Sequence, residues 1–431
     1  MSKKLKVLLL MDEVWNDSVY GNNNMTNWFS GFLGAEFASV CCSEGTPQNS
    51  CCTKYFQITD KMMFKSLFSK KRAGIILEDK DYSKTDNAEM GSKSGIIGEI
   101  SKTHMDIFRL VRDLLWLLGR YDKKALIEFI EDFKPDIIFS VRRATVKMLR
   151  LERELCQLSG LPIAAFTGDN ELEEGVPMIS PFSLIRKAMI RRALKKTAPM
   201  YSIYYTSSEE QGKIYAKNYG IKTGLLFKCA TADFETVHKE LSSPIRFLYV
   251  GRLYCGRWKT LGAVAEALKK INKDGVKAVL DIYTRDNVTK KQMQKLSDGQ
   301  NSFIRGAISP DKIKDEYKKS DIVLHVESFD RKNRAVTRHS YSTKVVDCLA
   351  SGCAVMAIGW EKHSACVELK KDDSAIVVTD IDDLETVIND LVKQPDKILS
   401  YAEKSMSDIE KNHSKADIQS RIYNDFLQII Q

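Results

Sequence analysis

The chain has 431 residues, of which 43% are hydrophobic and 29% are charged, and its formal net charge is +9 at pH 7. This composition excludes an intrinsically disordered chain, and the length allows two or three domains with a core each. The excess of lysine and arginine favours an anionic partner, for which nucleic acid, an acidic membrane surface and a phosphorylated substrate compete.

The amino terminus and the cysteines favour a cytoplasmic protein. After Lys3 and Lys4 only a short apolar run precedes Asp12, which predicts a first strand instead of a secretion signal. No run of about 18 apolar residues predicts a membrane-spanning helix. The ten cysteines include no C-x-x-C pair. They are therefore interpreted as reduced structural residues in preference to zinc ligands, and no metal is expected.

Strands of the first half are followed by polar loops. The run 6–11 predicts a buried strand, and the loop after it is rich in Gly and Asn. Ligands of open α/β sheets bind at the carboxyl ends of strands, which favours a functional loop over a plain turn. Further strands are predicted at 136–141 and 162–166. Asp169 follows the last of these, where a helix N-cap is one interpretation.

Two basic segments without acids lie in this half. Residues 61–73 contain five lysines and arginines, and residues 186–200 contain six. Both could be amphipathic helices on anionic lipid, and ordinary solvated helices are the alternative. Between them, apolar residues recur at helical spacing and predict a helix face in the core. These residues are Ile107, Leu110, Val111, Leu114 and Leu118.

The second half repeats an alternation of strands and helices. A polar segment at about 232–244 predicts a domain boundary, so the domains are expected at 1–235 and 244–414, with a helix at about 415–431 returning to the first domain. In the second domain, strands are predicted at 247–250, at 279–283, from 303 and at 321–326. This pattern predicts a parallel sheet with helices on both faces.

The stretch 342–359 carries the clearest local signal. Ser342, Thr343 and Lys344 suit a helix N-cap, an apolar helix-length run follows, and Gly352 lies where helices commonly stop. The next run, 353–358, is continuous and apolar, as in buried parallel strands. A helix of this kind can direct N–H groups at an anion, and phosphate is the expected one.

This stretch resembles the nucleotide-sugar signature of retaining glycosyltransferases with the glycosyltransferase B fold. The signature reads Lys-x-x-Glu-x-x-Ala-x-Gly-x-Pro-Val, and the chain matches it at Lys344, Ala350, Gly352 and Val355, with Asp347 for the glutamate and Ala354 for the proline. The resemblance implies an α/β fold with two Rossmann-like domains facing each other across a cleft. It is strong over 247–359 and weak over 1–235.

The resemblance also implies the site residues. For the donor diphosphate and ribose it implies Gly21, Arg252, Arg257, Lys259, Ser342, Thr343, Lys344 and Asp347. Arg257 and Lys259 are alternatives for one cation, because the spacing after the Gly-Arg-Leu motif differs from that of the family. For the catalytic groups it implies Asp169, Glu327 and Asp330. Glu327 and Asp330 are alternatives for one acid, and an inserted basic loop with Arg331, Lys332, Arg334 and Arg338 separates them from the signature.

The implied activity is transfer of a sugar from a nucleoside-diphosphate sugar to a glycan or lipid-linked acceptor. The resemblance implies retention of configuration and a role in cell-surface polysaccharide biosynthesis, and the cationic residues predict a reaction without metal or other cofactor. An anionic membrane surface, at the inner face of the plasma membrane, is a further expected partner. A catalytically inactive nucleotide-sugar-binding protein and a nucleotide-sugar epimerase are the alternatives. No nucleic acid is expected, because no groove face interleaves basic and aromatic residues.

Overall fold

The fold is that of a computed structural model, which describes residues 4–18, 24–77, 102–141, 144–168, 170, 172, 175–176, 180–230 and 240–431. It consists of two compact units. The first comprises Met1–Leu226 and Ile418–Gln431, and the second comprises Phe227–Asp417. The second unit begins at Phe227 because the ring of this residue packs against Tyr341 and His413.

In its described residues, the first unit is built on an eight-stranded sheet. Its strands are β1 (Leu5–Met11), β2 (Ala35–Cys41), β3 (Cys52–Gln57), β4 (Ile75–Leu77), β5 (Ile137–Val141), β6 (Ile163–Thr167), β7 (Tyr201–Thr206) and β8 (Thr223–Leu225). The order is β4-β3-β2-β1-β5-β6-β7-β8, and neighbours are parallel except β3 and β4. The predicted strands at 6–11, 136–141 and 162–166 are confirmed. They form because continuous apolar runs suit a sheet that is buried on both faces.

Helices cover this sheet. In the described part of the first unit they are α1 (Asn24–Phe29), α2 (Asp60–Phe68), α3 (Lys102–Leu118), α4 (Lys123–Phe133), α5 (Val146–Ser159), α6 (Pro181–Thr197) and α7 (Glu209–Tyr219). The last helix of the chain, Lys415–Ile430, packs on this unit from Ile418 onward. Gln419 donates a hydrogen bond to the carbonyl of Trp28 (2.7 Å), and Tyr205 donates one to Asp425 (2.6 Å).

Helix α3 corrects the prediction of a core-facing apolar stripe. Val111 is 57% exposed, and Leu114 and Leu118 are exposed as well. The helix docks through its opposite face, where the indole of Trp116 is buried and Asp113 accepts a hydrogen bond from Arg186 (2.8 Å). The periodicity shows an apolar face, but the contacts of Trp116 and Asp113 decide which face is covered.

The described part of the second unit contains a six-stranded, fully parallel sheet. Its strands are β9 (Ile245–Val250), β10 (Ala278–Tyr283), β11 (Ser302–Gly306), β12 (Ile322–Val326), β13 (Ala354–Ile358) and β14 (Ile376–Val378), in the order β11-β10-β9-β12-β13-β14. Alternate residues of β13 enter two apolar clusters, Met356 in one and Val355 in the other. Both faces are therefore covered, as the alternation of strands and helices predicts.

The helices of the second unit follow its strands. They are α8 (Arg257–Ile271), α9 (Lys290–Leu296), α10 (Pro310–Lys318), α11 (Arg331–Thr337), α12 (Thr343–Leu349), α13 (Ser364–Lys371), α14 (Leu384–Lys393) and α15 (Asp396–Asn412), and the chain ends with α16 (Lys415–Ile430). The basic segment predicted as an inserted loop is helix α11. Its arginines Arg334 and Arg338 lie 5.5 and 5.8 Å from the ring of Trp360, and these cation–π contacts hold the segment on the unit.

Candidate functional site

The strand order of the second unit defines a crevice. The chain runs outward from β9 through β10 to β11 and then returns to β12 on the other side of β9. Open α/β sheets bind ligands at the carboxyl ends of the two strands where the order reverses. Gly251 and Arg252 follow β9 at this place, and Glu327 follows β12. The topology therefore brings two of the sequence-predicted segments to one edge of the sheet.

Gly251 makes room for Lys344. A Cβ atom on Gly251 would collide with the ammonium of Lys344 and lie 2.8 Å from the hydroxyl oxygen of Tyr249. Lys344 stands in the first turn of α12, where the Ser342 hydroxyl accepts a hydrogen bond from its backbone N–H (3.4 Å). The N-cap predicted at Ser342 is thus confirmed, and it fixes the backbone from which the Lys344 side chain reaches the end of β9.

The charge of Lys344 has no carboxylate partner within the described part of the chain, where every ion pair of the site involves another cation. Burial and the neighbouring charges of Arg257 and Arg252 lower the pKa of Lys344 below that of an ordinary lysine. A half-buried ammonium without an anion is costly. An arrangement of this kind can accept an anionic ligand.

Glu327 and Arg257 form the buried ion pair of the crevice. The Nε and Nη2 atoms of Arg257 lie 3.2 and 2.5 Å from Oε1 of Glu327, and the two side chains are only 12% and 3% exposed. Thr260 donates a further hydrogen bond to the carbonyl of Glu327 (2.8 Å). The start of α8 and the end of β12 are held together by these contacts.

One oxygen of Glu327 is left for another partner. Its Oε2 atom is buried and accepts no hydrogen bond from the described residues, and the same holds for Nε2 of His325, which lies 3.9 Å from Oε1. Burial lowers the pKa of His325 to about 3, so this ring is neutral near pH 7. Burial would raise the pKa of Glu327, but its interactions with His363, Arg257 and His325, among them the hydrogen bonds from Arg257, outweigh burial and lower the pKa. Glu327 is therefore ionised, and its Oε2 atom can accept a further hydrogen bond.

The alternatives for the second cation occupy different surroundings. Lys259 pairs with Asp330 (2.8 Å), and both side chains are substantially exposed. Arg257 instead lies close enough to Lys344 to lower its pKa. Arg252 pairs with Asp286 and is 61% exposed. The structure thus places Arg257 and Glu327 inside the crevice, and Lys259 and Asp330 at the surface.

Asp347 has a partner that the sequence does not reveal. Its Oδ1 atom lies 2.6 Å from the ammonium of Lys228, whose side chain is almost completely buried. The pair orients the carboxylate at the end of α12. No local pattern connects these two residues, because 119 positions separate them. The sequence could have indicated Asp286 as a residue of the site, because it follows the predicted strand β10 as Gly251 follows β9.

Three predicted site residues remain to be placed, namely Thr343, Gly21 and Asp169. Thr343 is the first residue of α12. Gly21 and Asp169 lie outside the described residues.

The described ranges contain no cluster of three His, Cys, Asp or Glu side chains that could hold a metal ion, and metal independence stays a prediction. Within the same ranges no helix is long and apolar enough to cross a membrane.

Comparison with known proteins gives one family match, which lies mainly in the second unit. Residues 244–422 match the model of a family described as glycosyl transferase-like. Comparison of the sequence with characterised proteins gave no match.

Solved structures resemble the whole chain. Sucrose-phosphate synthase from Thermosynechococcus elongatus is 10% identical, with 99% of each chain covered and a TM-score of 0.60. The α,α-trehalose 6-phosphate synthase from Burkholderia multivorans is 11% identical, with 99% of each chain covered and a TM-score of 0.58. The Anabaena protein HepE, solved with UDP and glucose, is 11% identical, covers 98% of this chain and 100% of its own, and has a TM-score of 0.58. At such identities the likeness is one of fold.

Proposed function

We propose that this chain is a glycosyltransferase of the glycosyltransferase B fold, and that it transfers a sugar from a nucleoside-diphosphate donor bound at the carboxyl edge of the second unit's sheet. The observation that carries the proposal is the ammonium of Lys344, which is half-buried and has no carboxylate partner among the described residues. A diphosphate would supply the missing anion. Binding would also return the pKa of Lys344 toward its ordinary value.

The chemistry needs charge neutralisation at the departing diphosphate. As the bond between the sugar and the diphosphate breaks, negative charge grows on the phosphate oxygens. Lys344 is proposed to contact them directly, with Arg257 behind it and Arg252 at the exposed rim. Two or three charge-assisted contacts of about 1.5–3 kcal/mol each are sufficient to hold a diphosphate. The reaction is accordingly proposed to proceed without a metal ion.

Two carboxylates are proposed to contact the rest of the donor. Asp347 has one oxygen on Lys228, and its other oxygen is proposed to accept hydrogen bonds from the ribose hydroxyls. Glu327 is proposed to accept a hydrogen bond from a sugar hydroxyl through Oε2. Glu327 is preferred to Asp330 for this role, because Asp330 is bound to Lys259 at the surface. Retention of configuration is proposed from the resemblance of the 342–359 signature.

The acceptor is proposed to be a lipid-linked glycan in cell-surface polysaccharide biosynthesis. The support is the basic character of the first unit, whose helices α2 and α6 expose Lys61, Lys65, Arg191 and Arg192. Cations near an anionic bilayer contribute about 1 kcal/mol each. The enzyme is therefore proposed to work in the cytoplasm, at the inner face of the plasma membrane.

UDP or GDP is expected to protect the protein from heat, and a chelator should not remove this protection. Ligands that bind only the folded state raise its stability by about 2.7 kcal/mol at a hundred times the dissociation constant. UDP is the first nucleotide to test, since HepE was solved with it. The measurement is thermal unfolding with each nucleoside diphosphate at millimolar concentration. Absence of protection by all of them would refute donor binding, and binding without turnover would indicate an inactive nucleotide-sugar-binding protein.

Asp347→Asn is expected to weaken binding of UDP more than binding of a UDP analogue without ribose hydroxyls. Only the intact ribose can lose the hydrogen bonds that the carboxylate accepts. The substitution also removes the negative charge that pairs with Lys228, so the fraction of folded protein is measured alongside by circular dichroism. Equal losses for the two nucleotides would remove Asp347 from the ribose and leave it a structural partner of Lys228.

A further inference from the structure

A row of large apolar side chains on the first unit is exposed to solvent. Phe68 on α2 is 78% exposed and Leu118 on α3 is 69% exposed. We call this surface the apolar ridge, and it is represented by Phe64, Phe68, Ile76, Phe108 and Leu118. Isolated exposed apolar residues are common, but several exposed aromatic and aliphatic residues on adjoining elements mark an interaction surface.

Hydrogen bonds hold the elements that carry the ridge next to one another. At the end of α3, the backbone N–H of Arg120 donates to the hydroxyl of Ser66 on α2 (2.9 Å), and its guanidinium donates to the carbonyls of Ser66 and Ser69 (3.1 and 3.3 Å). The backbone N–H of Ala73, just before β4, donates to the carbonyl of Arg120 (2.9 Å). On α2 itself, the rings of Phe64 and Phe68 are 5.3 Å apart.

The described charges next to the ridge differ by sign, because the acids are engaged and the cations are exposed. The acids of the carrying helices are engaged, since Asp60 accepts a hydrogen bond from Trp116 and Asp113 is buried against Arg186. Asp106 lies 3.9 Å from Arg109. The exposed cations next to the ridge are Lys65, Lys70, Lys71, Arg72 and Arg109. An apolar surface edged by lysine and arginine matches an anionic bilayer, with acyl chains under the apolar side chains and headgroups at the cations.

The same charges argue against a second copy of the chain as the occupant. A two-fold dimer would pair the ridge with itself and would bring the cations of one copy close to those of the other. Like charges held close together in an interface cost several kcal/mol. A bilayer with anionic headgroups instead supplies counter-charges.

We infer that the first unit docks on anionic membranes by inserting the apolar ridge into the interface. This inference extends the membrane association put forward under the proposed function, where only the basic segments supported it. It changes the expected behaviour, because attachment through cations alone is lost at high salt, whereas an inserted apolar ridge keeps part of the binding. The contact needs no donor nucleotide, so it can be tested apart from sugar transfer.

The test is co-sedimentation of the full chain with vesicles of phosphatidylcholine, or of phosphatidylcholine mixed with phosphatidylglycerol, at low and high salt. The ridge variant Phe68→Ser/Leu118→Ser is compared with Leu33→Ser, a matched control at an apolar residue that is 84% exposed and not part of the ridge. The intact chain should bind the mixed vesicles at low salt and retain part of this binding at high salt. The ridge variant should lose about tenfold or more in partitioning, and the control should bind like the intact chain.

A charge variant separates the two contributions. Changing Lys70, Lys71, Arg72, Arg191 and Arg192 to Gln should remove the salt-sensitive part and leave the ridge contribution. The inference fails if the ridge variant sediments like the intact chain, or if the intact chain stays in the supernatant with mixed vesicles at low salt. It also fails if the intact chain is a dimer that the ridge variant converts to monomer without a change in vesicle binding. Heat protection by UDP, measured on the same variants, reports the proposed donor site separately.

Discussion

Lys344→Ala is expected to weaken binding of UDP or GDP by about tenfold to a hundredfold, which corresponds to the loss of one charge-assisted contact of about 1.5–3 kcal/mol. The protein should remain as stable as before. The lowered pKa of Lys344 shows that folding disfavours its charge, so removal of the ammonium relieves a cost. The measurement is calorimetric titration with each nucleotide, together with thermal unfolding without ligand.

Lys259→Ala is the matched control for this loss. Lys259 is the alternative cation in sequence, but its ammonium is exposed and paired with Asp330. Exposed pairs contribute about 0–1 kcal/mol, so the control should bind nucleotide within about fivefold of the intact chain. Equal losses in the two variants would show that the cation of the donor site is misassigned. Gly251→Ala should reproduce the loss of Lys344→Ala, because the added Cβ displaces the ammonium.

The pH dependence of nucleotide binding tests whether the positive charge of Lys344 contributes to the affinity. Its pKa is lowered in the folded protein, first by burial and then by the charge of Arg257. Nucleotide affinity should therefore fall as the pH rises through this lowered pKa, at a pH below that at which an ordinary lysine loses its proton. In Lys344→Arg the guanidinium stays charged, and the alkaline loss of affinity should disappear.

The parts of the site that the sequence predicts are those that local patterns determine. The N-cap at Ser342, the helix α12 and the buried strand β13 all lie within one short stretch, and capping and continuous apolar character are read from neighbouring residues. The position of Gly251 and Arg252 after β9 follows from the same kind of pattern. The fold class is likewise visible in the alternation of strands and helices.

The pairings across the site are not visible in the sequence. Arg257 and Glu327 are 70 positions apart, and Lys228 and Asp347 are 119 positions apart. Their contacts arise from the order of strands in the sheet, and a single sequence carries no local signal for them. Lys259 and Asp330 carry the same charges as Arg257 and Glu327 and have nearly the same spacing. Only burial distinguishes the pair in the crevice from the pair at the surface.

The apolar face of α3 shows a second limit of what the sequence predicts. A helical period of apolar residues predicts that one face avoids water, and a protein core is the usual solution. In α3 the opposite face carries Trp116 and Asp113 into the unit, so Val111 and Leu118 are left outside. The sequence therefore predicts the amphipathic helix but not its orientation, which depends on long-range partners such as Asp60 and Arg186.

Glu327→Gln is expected to lower the free energy of unfolding by about 3–5 kcal/mol and to abolish sugar transfer. It leaves the buried guanidinium of Arg257 without a counter-charge, and breaking one side of a buried ion pair costs about this much. The pKa of Glu327 is lowered in the folded protein, so its stabilisation is full above the ordinary glutamate pKa and is lost as the pH falls through the folded pKa. The difference in stability from the intact chain should therefore shrink in acid.

Two further variants separate the structural role of Glu327 from its role in transfer. Arg257→Met/Glu327→Gln removes both charges, and it should recover part of the stability without recovering transfer. Asp330→Asn breaks only the exposed pair with Lys259 and should cost less than about 1 kcal/mol and little activity. Unfolding is followed by circular dichroism and transfer by release of nucleoside diphosphate from the donor. If Asp330→Asn loses transfer while the folded fraction of Glu327→Gln retains it, Asp330 is the acid that contacts the donor sugar and Glu327 serves only to neutralise Arg257.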